Sequence, residues 1–294
     1  MILRRINQLL HVFIGYLIKW KVDLLGVGYV NKLDKTDKSP RLIVSLTSYG
    51  RCVEKIVYYT IVSMLKQELA PNKIVLWLDQ NTWNDENLPK KIISLKKYGV
   101  EIKFCKDVRS YTKLVPALLS YSEDIIVTVD DDVYYSPKLL KRLYDGYLEF
   151  PNKIQCFFYS NPRYDETGKI APYNSWNKVT GSNWVFPLGV GGVLYPPHAL
   201  YSDVIKESLF MKLCPAADDL WFWFMALKQG TKHNVVSMKG IRYYAFDNLY
   251  QYFHKGSALT HSNSRENGND VQLVSLFNHY QVKGEHDLNN ITCK

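Results

Sequence analysis

From residue 41 onward the chain alternates short apolar runs with longer stretches whose apolar residues recur at helical spacing. "LIVSL" (42–46) reads as a buried strand, and "VEKIVYYTIVSMLKQ" (53–67) as the helix behind it. "KIVLWL" (73–78) predicts a second strand. "LPKKIISLKKYG" (88–99) predicts a helix stopped by Gly99, and "VEIKF" (100–104) a third strand. "YTKLVPALLSY" (111–121) predicts a helix that accommodates Pro116 near its first turn, and "DIIVTV" (124–129) a fourth strand. Ser136-Pro137 supplies an N-cap and an N1 proline for a helix over "KLLKRLYDGYL". After residue 150 the alternation fails. "IQCFFYS" (154–160) is a further strand candidate, a turn-rich segment follows, and "VQLVSLFNHY" (271–280) reads as a packing helix.

Strand, helix, strand, helix at this spacing implies an α/β fold with a mostly parallel sheet and helices on both faces. Such sheets bind ligands at the carboxyl ends of their strands. That rule puts Thr47–Arg51, Asp79, Lys106, Asp107 and Asp130–Asp132 along one rim.

The stretch "VTVDDDVYYSP" poses the sharpest chemical question, because three consecutive carboxylates follow an apolar run. In extended backbone Asp130 and Asp132 face one point and Asp131 the other way. A carboxylate pair of this kind suits a hard divalent cation that keeps waters and takes substrate phosphates as its remaining ligands. A solvated turn capping the next helix is the competing explanation, weakened because Ser136-Pro137 already serves as a cap.

Composition narrows the rest. The 294 residues are 47% hydrophobic and 22% charged, with a net charge of +9. A basic balance permits an anionic ligand or a membrane surface. Without zinc-finger spacing, an RNP-like segment or a dense basic helix, no nucleic-acid partner is expected. Five scattered cysteines without a C-x-x-C pair read as reduced thiols of a cytosolic protein. The apolar run Leu9–Ile18, flanked by Arg4, Arg5, Lys19 and Lys21, is too short to span a bilayer. It fits a basic amphipathic helix lying on an anionic membrane, and equally a helix packed on the protein's own body.

An apolar strand ending in D-x-D within a Rossmann-like half resembles the GT-A glycosyltransferases. The resemblance covers residues 41–230 and rests on three elements in order: the D-x-D, the glycine segment "WVFPLGVGGVLYPP" (184–197), and the acidic pair in "CPAADDLWFWFMALKQG" (214–230). It implies Mn2+ or Mg2+ held by Asp130 and Asp132 against the diphosphate of a nucleotide sugar, UDP- ahead of GDP-. It further implies a donor side built from Thr47, Tyr49, Arg51, Asp79, Lys113, Asp130, Asp131, Gly191 and Gly192. Asp219 becomes the general base on the acceptor hydroxyl and Asp218 its orienting partner, an arrangement that favours inversion. His261 would add a metal ligand from a polar, lid-like segment (254–270).

The basic apolar run makes residues 1–30 an amphipathic segment suited to either placement, on a membrane or on the protein's own body, and the polar "NKLDKTDKSP" (31–40), ending in Ser39-Pro40, reads as a linker. By the same resemblance, residues 41–294 form one catalytic domain, with a nucleotide-binding half (41–150) and an acceptor-binding half (151–294). The setting implied is bacterial polysaccharide or O-antigen assembly, with a glycan or polyprenyl-linked acceptor at the inner face of the cell membrane. Two alternatives stay open: a sugar-nucleotide or phosphoryl-transfer enzyme using the same aspartates, and a Ca-dependent carbohydrate-binding protein.

Overall fold

In the computed structural model, residues 2–28, 30, 33–36, 39–176, 185–246 and 268–282 are described, with side chains from residue 13. The chain opens with helix α1 (Ile2–Leu25) and enters the sheet at β1 (Leu42–Thr47). Helices α2 (Gly50–Lys55) and α3 (Val57–Leu65) lead to β2 (Lys73–Asp79), and α4 (Lys90–Ser94) leads to β3 (Glu101–Cys105). Helix α5 (Val115–Ser120) precedes β4 (Ile125–Thr128), followed by β5 (Val133–Tyr135) and α6 (Leu139–Glu149). The second half contributes β6 (Ile154–Cys156), β7 (Tyr159–Ser160), β8 (Phe186–Pro187) and β9 (Val193–Tyr195). It closes with α7 (Glu207–Leu213), α8 (Asp218–Gln229), β10 (His233–Val235), β11 (Tyr243–Ala245) and α9 (Gly268–His279).

Among the described residues, seven strands form the main sheet in the order β10-β6-β9-β4-β1-β2-β3. The strands from β4 to β3 pair in parallel. The exception is β9, which lies antiparallel between β4 and β6. The alternating side-chain directions of a strand explain the two cores. Ile43, Val75, Trp77 and Ile126 face one side, beneath the aromatic helix α8. Leu42, Val44, Leu46, Ile74, Leu76 and Val127 face the other, beneath α3 and α6. Trp221, Phe222, Trp223 and Phe224 of α8 are fully buried, so these aromatics are core and offer no sugar-stacking surface.

Most predicted elements are present with shifted edges. The single helix expected over 53–67 is two, because Ile56 (φ −130°) breaks the ladder between α2 and α3. Gly99 ends the turn after α4 with φ 89°, and Pro116 lies in the first turn of α5. The strand expected over 154–160 is broken into β6 and β7. Ser136-Pro137 does not start α6. The residues after the aspartates form β5, paired with β11, and the helix begins at Leu139 behind Lys138.

Candidate active site

One cavity of about 740 Å³ opens at the carboxyl edge of the parallel strands. Thr47, Tyr49, Asp79, Lys113, Asp130, Asp131, Asp132, Asp218 and Asp219 all line it. The two acidic groups are 86 residues apart at their closest (218 minus 132), and the fold brings both to one space.

Lys113 occupies the centre. Its Nζ lies 3.3 Å from Asp130 Oδ1, 2.9 Å from Asp218 Oδ2 and 4.0 Å from Asp219 Oδ1. A single 3-10 turn, Arg109–Lys113, carries it. Ser45 Oγ of β1 donates to the Lys113 carbonyl at 2.6 Å, and the Tyr111 hydroxyl donates to the Cys214 carbonyl at 2.5 Å. These bonds fix the turn against both the sheet and the loop entering α8. Burial alone would push the Lys113 ammonium to lose its proton, but the three carboxylates hold it well above its ordinary value.

Asp218 and Asp219 open α8, where the helix dipole favours negative charge. Asp219 Oδ2 accepts the backbone N–H of Gly189 at 3.0 Å. Desolvation nonetheless pushes its carboxyl up to about 7; Lys113 opposes the shift and Asp218 adds to it. The Asp219 side chain is one-third exposed, so the desolvation is that of a recessed cavity wall. Asp218 Oδ2 has an ion pair with Lys113 but no aligned hydrogen-bond donor. That oxygen is buried against the Lys113 ammonium.

The aspartate triplet behaves as its alternation requires. Asp131 turns back into the protein, where Ser48 Oγ donates to its Oδ2 at 2.5 Å and Thr60 Oγ1 donates to its carbonyl. Burial pushes that carboxyl up to about 6, with the nearby Asp130 charge a smaller contribution. Tyr135 links the triplet to the glycine segment. Its hydroxyl accepts the Asp130 N–H at 3.0 Å and donates to the Val190 carbonyl at 3.2 Å.

Several expected site residues are placed differently. Arg51 sits exposed on α2 and does not line the cavity. Gly191 and Gly192 do not line it either. A Cβ on Gly191 would come within 2.3 Å of the Phe158 ring, so that glycine makes room for packing. Gly192 satisfies a backbone requirement, φ 82°. The glycine of that segment that reaches the cavity is Gly189. A Cβ there would lie 2.9 Å from Asp219 Oδ1 and 3.1 Å from Lys113 Nζ. Thr47 and Asp79 are partly committed to the fold. Thr47 Oγ1 donates to the Trp77 carbonyl, and Asp79 accepts from Asn81 N–H and Thr82 Oγ1, which holds its carboxyl below the usual range. His261 lies outside the described residues, as does most of the lid-like segment.

The cavity also includes residues that the sequence reading missed. Trp83, Arg109, Tyr173 and Asn269 line it as well. Arg109 has a left-handed backbone, φ 61°, and its Nη1 donates to the Pro215 carbonyl at 2.9 Å. Its only sequence signal was a basic residue between the third strand and the next helix.

No family model and no curated protein matches the chain. Solved structures do. The S. aureus TarS 1–349 structure in complex with UDP-GlcNAc is 14% identical, with a TM-score of 0.50, covering 86% of this chain and 70% of that one. S. aureus TarS superposes at TM-score 0.47 with 16% identity, covering 83% of this chain and 44% of its own length. A Mycobacterium tuberculosis glucosyl-3-phosphoglycerate synthase, solved with Mn2+, UDP and phosphoglyceric acid, matches over 41% of this chain and 43% of its own (17% identity, TM-score 0.32). At 14% identity and a TM-score of 0.50, the first of these likenesses is one of fold.

Proposed function

Starting from the GT-A fold, we propose that the protein is a metal-dependent glycosyltransferase. It would move a sugar from a nucleoside-diphosphate sugar to a hydroxyl of a glycan or lipid-linked glycan. The observation that carries this reading is the meeting of two acidic groups in one cavity around Lys113. Asp130 and Asp132, at the end of β4, belong to the donor side. Asp218 and Asp219, at the start of α8, belong to the acceptor side. TarS, whose fold this chain shares, binds UDP-GlcNAc, which supports a uridine nucleotide ahead of a guanosine one.

The charge balance supports a cation. Among the described residues, seven acidic and two basic side chains line the cavity. A diphosphate adds negative charge to a site already rich in it, and one divalent cation offsets both. Asp130 and Asp132 would hold that cation. Among the described residues no three His, Cys, Asp or Glu side chains converge as a ready-made metal cage. Two hard carboxylates fit a cation that draws its other ligands from water and substrate. Once bound, it would offset the charge on the departing nucleoside diphosphate.

The chain's own groups divide the remaining work. Tyr49, 69% exposed beside the cavity, is available to stack on the base, and Trp83 borders the same end. Lys113 steadies the carboxylates and can donate to the diphosphate. Asp219 takes the proton from the acceptor hydroxyl as that oxygen attacks the sugar's anomeric carbon and the bond to the diphosphate breaks. Direct attack of this kind inverts the anomeric centre. The setting that suits a basic amphipathic α1 is polysaccharide assembly at the inner face of the cell membrane.

The test is release of UDP or GDP from a panel of nucleotide sugars with and without Mn2+. Metal-dependent release that vanishes in Asp132→Ala is expected. Release unchanged by that substitution for every donor overturns the metal assignment.

A further inference from the structure

Helix α1 has two apolar faces. Gly15 and Val22, with Ile18 partly covered, turn inward against β11, Phe246 and the core. The opposite face carries Phe13 (60% exposed), Tyr16 (61%), Leu17 (46%), Trp20 (64%) and Leu24 (66%). Their spacing of three and four residues sets them in one stripe, about 180° round the helix from Val22 and about 16 Å long at 1.5 Å per residue. An amphipathic helix that only packs on its own body would turn polar residues outward. This one does the reverse.

Lysines outnumber acids around the stripe. Lys21 is exposed beside it, and the half-buried Lys66 reaches the chain just past the helix, its Nζ 4.0 Å from where a Cβ on Gly28 would lie. Lys19 sits on the flank, over the rings of Phe246 and Tyr59. Asp23, the helix's one acid, is taken up by Tyr59 and Lys91. Clustered lysines cost repulsion unless an anion meets them, and Trp and Tyr beside an apolar stripe suit the boundary between headgroups and acyl chains. No described helix is long and apolar enough to cross a membrane, so the face is suited to lying in the surface.

We propose that α1 is an in-plane docking face for a bilayer with anionic headgroups, with Phe13, Tyr16, Leu17, Trp20 and Leu24 entering the interface and Lys21 and Lys66 meeting the headgroups. The helix is coupled to the candidate active site. It packs on β11, which pairs with β5 directly after the aspartates, and the Phe246 N–H donates to the Asp132 carbonyl at 2.7 Å. Docking through α1 therefore fixes the orientation of the cavity to the membrane, as an acceptor carried on a lipid requires. The docking itself does not rest on the transfer reaction.

The experiment is co-sedimentation of the full chain with vesicles of phosphatidylcholine alone and of phosphatidylcholine and phosphatidylglycerol in equal parts. Binding is expected to the mixed vesicles, weakened by salt and reduced about ten-fold or more in the double variant F13E/W20E. K21E/K66E should lose the preference for phosphatidylglycerol while keeping its fold by circular dichroism. Wild-type protein left in the supernatant with both vesicles, or F13E/W20E bound as well as wild type, overturns the proposal. So does a wild-type dimer that W20E alone makes monomeric, because the stripe is then a seam between copies. Metal-dependent UDP release in solution, measured on the same preparations, reports separately on the transferase reading.

Discussion

The backbone N–H of Gly189 donates to Asp219 Oδ2 at 3.0 Å, and no side chain lies between that glycine and the carboxylate. The glycine segment thus serves the acidic pair directly, by contact with the residue assigned as base.

Gly189→Ala should therefore lower turnover without unfolding the protein. Its Cβ would press on Asp219 and Lys113, both at the cavity, and a loss of about 10-fold or more in kcat is expected. Gly191→Ala should act on stability instead, by about 1–3 kcal/mol, because its Cβ meets the Phe158 ring. Adding Phe158→Ala to Gly191→Ala should relieve the clash, leaving the cost of the lost ring. Melting curves and steady-state kinetics on the three variants check this. A Gly191→Ala protein that melts normally but fails in catalysis would move that glycine into the site.

Asp219→Asn should abolish transfer while leaving metal-dependent donor binding in place. A fall of about 100-fold or more in kcat is the scale expected for a lost general base. Asp218→Asn should fall less, since it removes one of the carboxylates that hold Lys113 in the cavity and leaves Asp219 in place. Equal turnover in wild type and Asp219→Asn would remove that residue as base.

The pH dependence follows from the same carboxylate. With its pKa raised to about 7, kcat/KM should climb with pH through the neutral range and level off above it. Lys113 lowers that value, so Lys113→Met should move the acid limb to higher pH as well as reduce its plateau. The folded carboxyl binds its proton more tightly than the unfolded one, at about 3.8, so ionising Asp219 costs stability progressively between pH 3.8 and about 7. Asp219→Asn should accordingly raise the melting temperature at pH 8 relative to wild type, and not at pH 3. A limb that stays in place in Lys113→Met would break the link.

Asp131→Asn should be tolerated. The carboxyl is buried against Ser48 and pushed up to about 6, so a neutral amide of the same shape should leave stability within about 1 kcal/mol and metal dependence unchanged. Asp130→Asn and Asp132→Asn should instead raise the Mn2+ concentration needed for half-maximal rate. A metal titration across the three variants separates the roles.

The first half of the molecule was legible because it obeys local rules. β1 to β4 are apolar runs, and their ends deliver Thr47, Asp79 and Asp130 to one rim by topology alone. The second half was not, because its strands are two or three residues long and paired with distant partners. No periodicity survives in so few residues, and nothing local marks Val193–Tyr195 as reversed. Arg51 and Arg109 make the same point. The sequence favoured the arginine nearest a strand end, whereas the cavity takes the one whose backbone adopts φ 61° and whose guanidinium holds the loop before α8. The acidic pair was found through its order along the chain, but its bond to Gly189 needs the folded turn.

The antiparallel insertion of β9 also determines when the cavity can form. β2 joins β1 and β3 joins β2 from near neighbours, and β4 returns to β1 across 83 residues (125 minus 42). β9 must then enter beside β4 from 65 residues away (193 minus 128), a second long-range closure of the slow kind. Gly189, and with it the lining next to Asp219, arrives with that strand. Turnover followed during refolding should therefore lag behind the recovery of helical signal, making the Asp219 wall of the cavity a clock for the last step of folding.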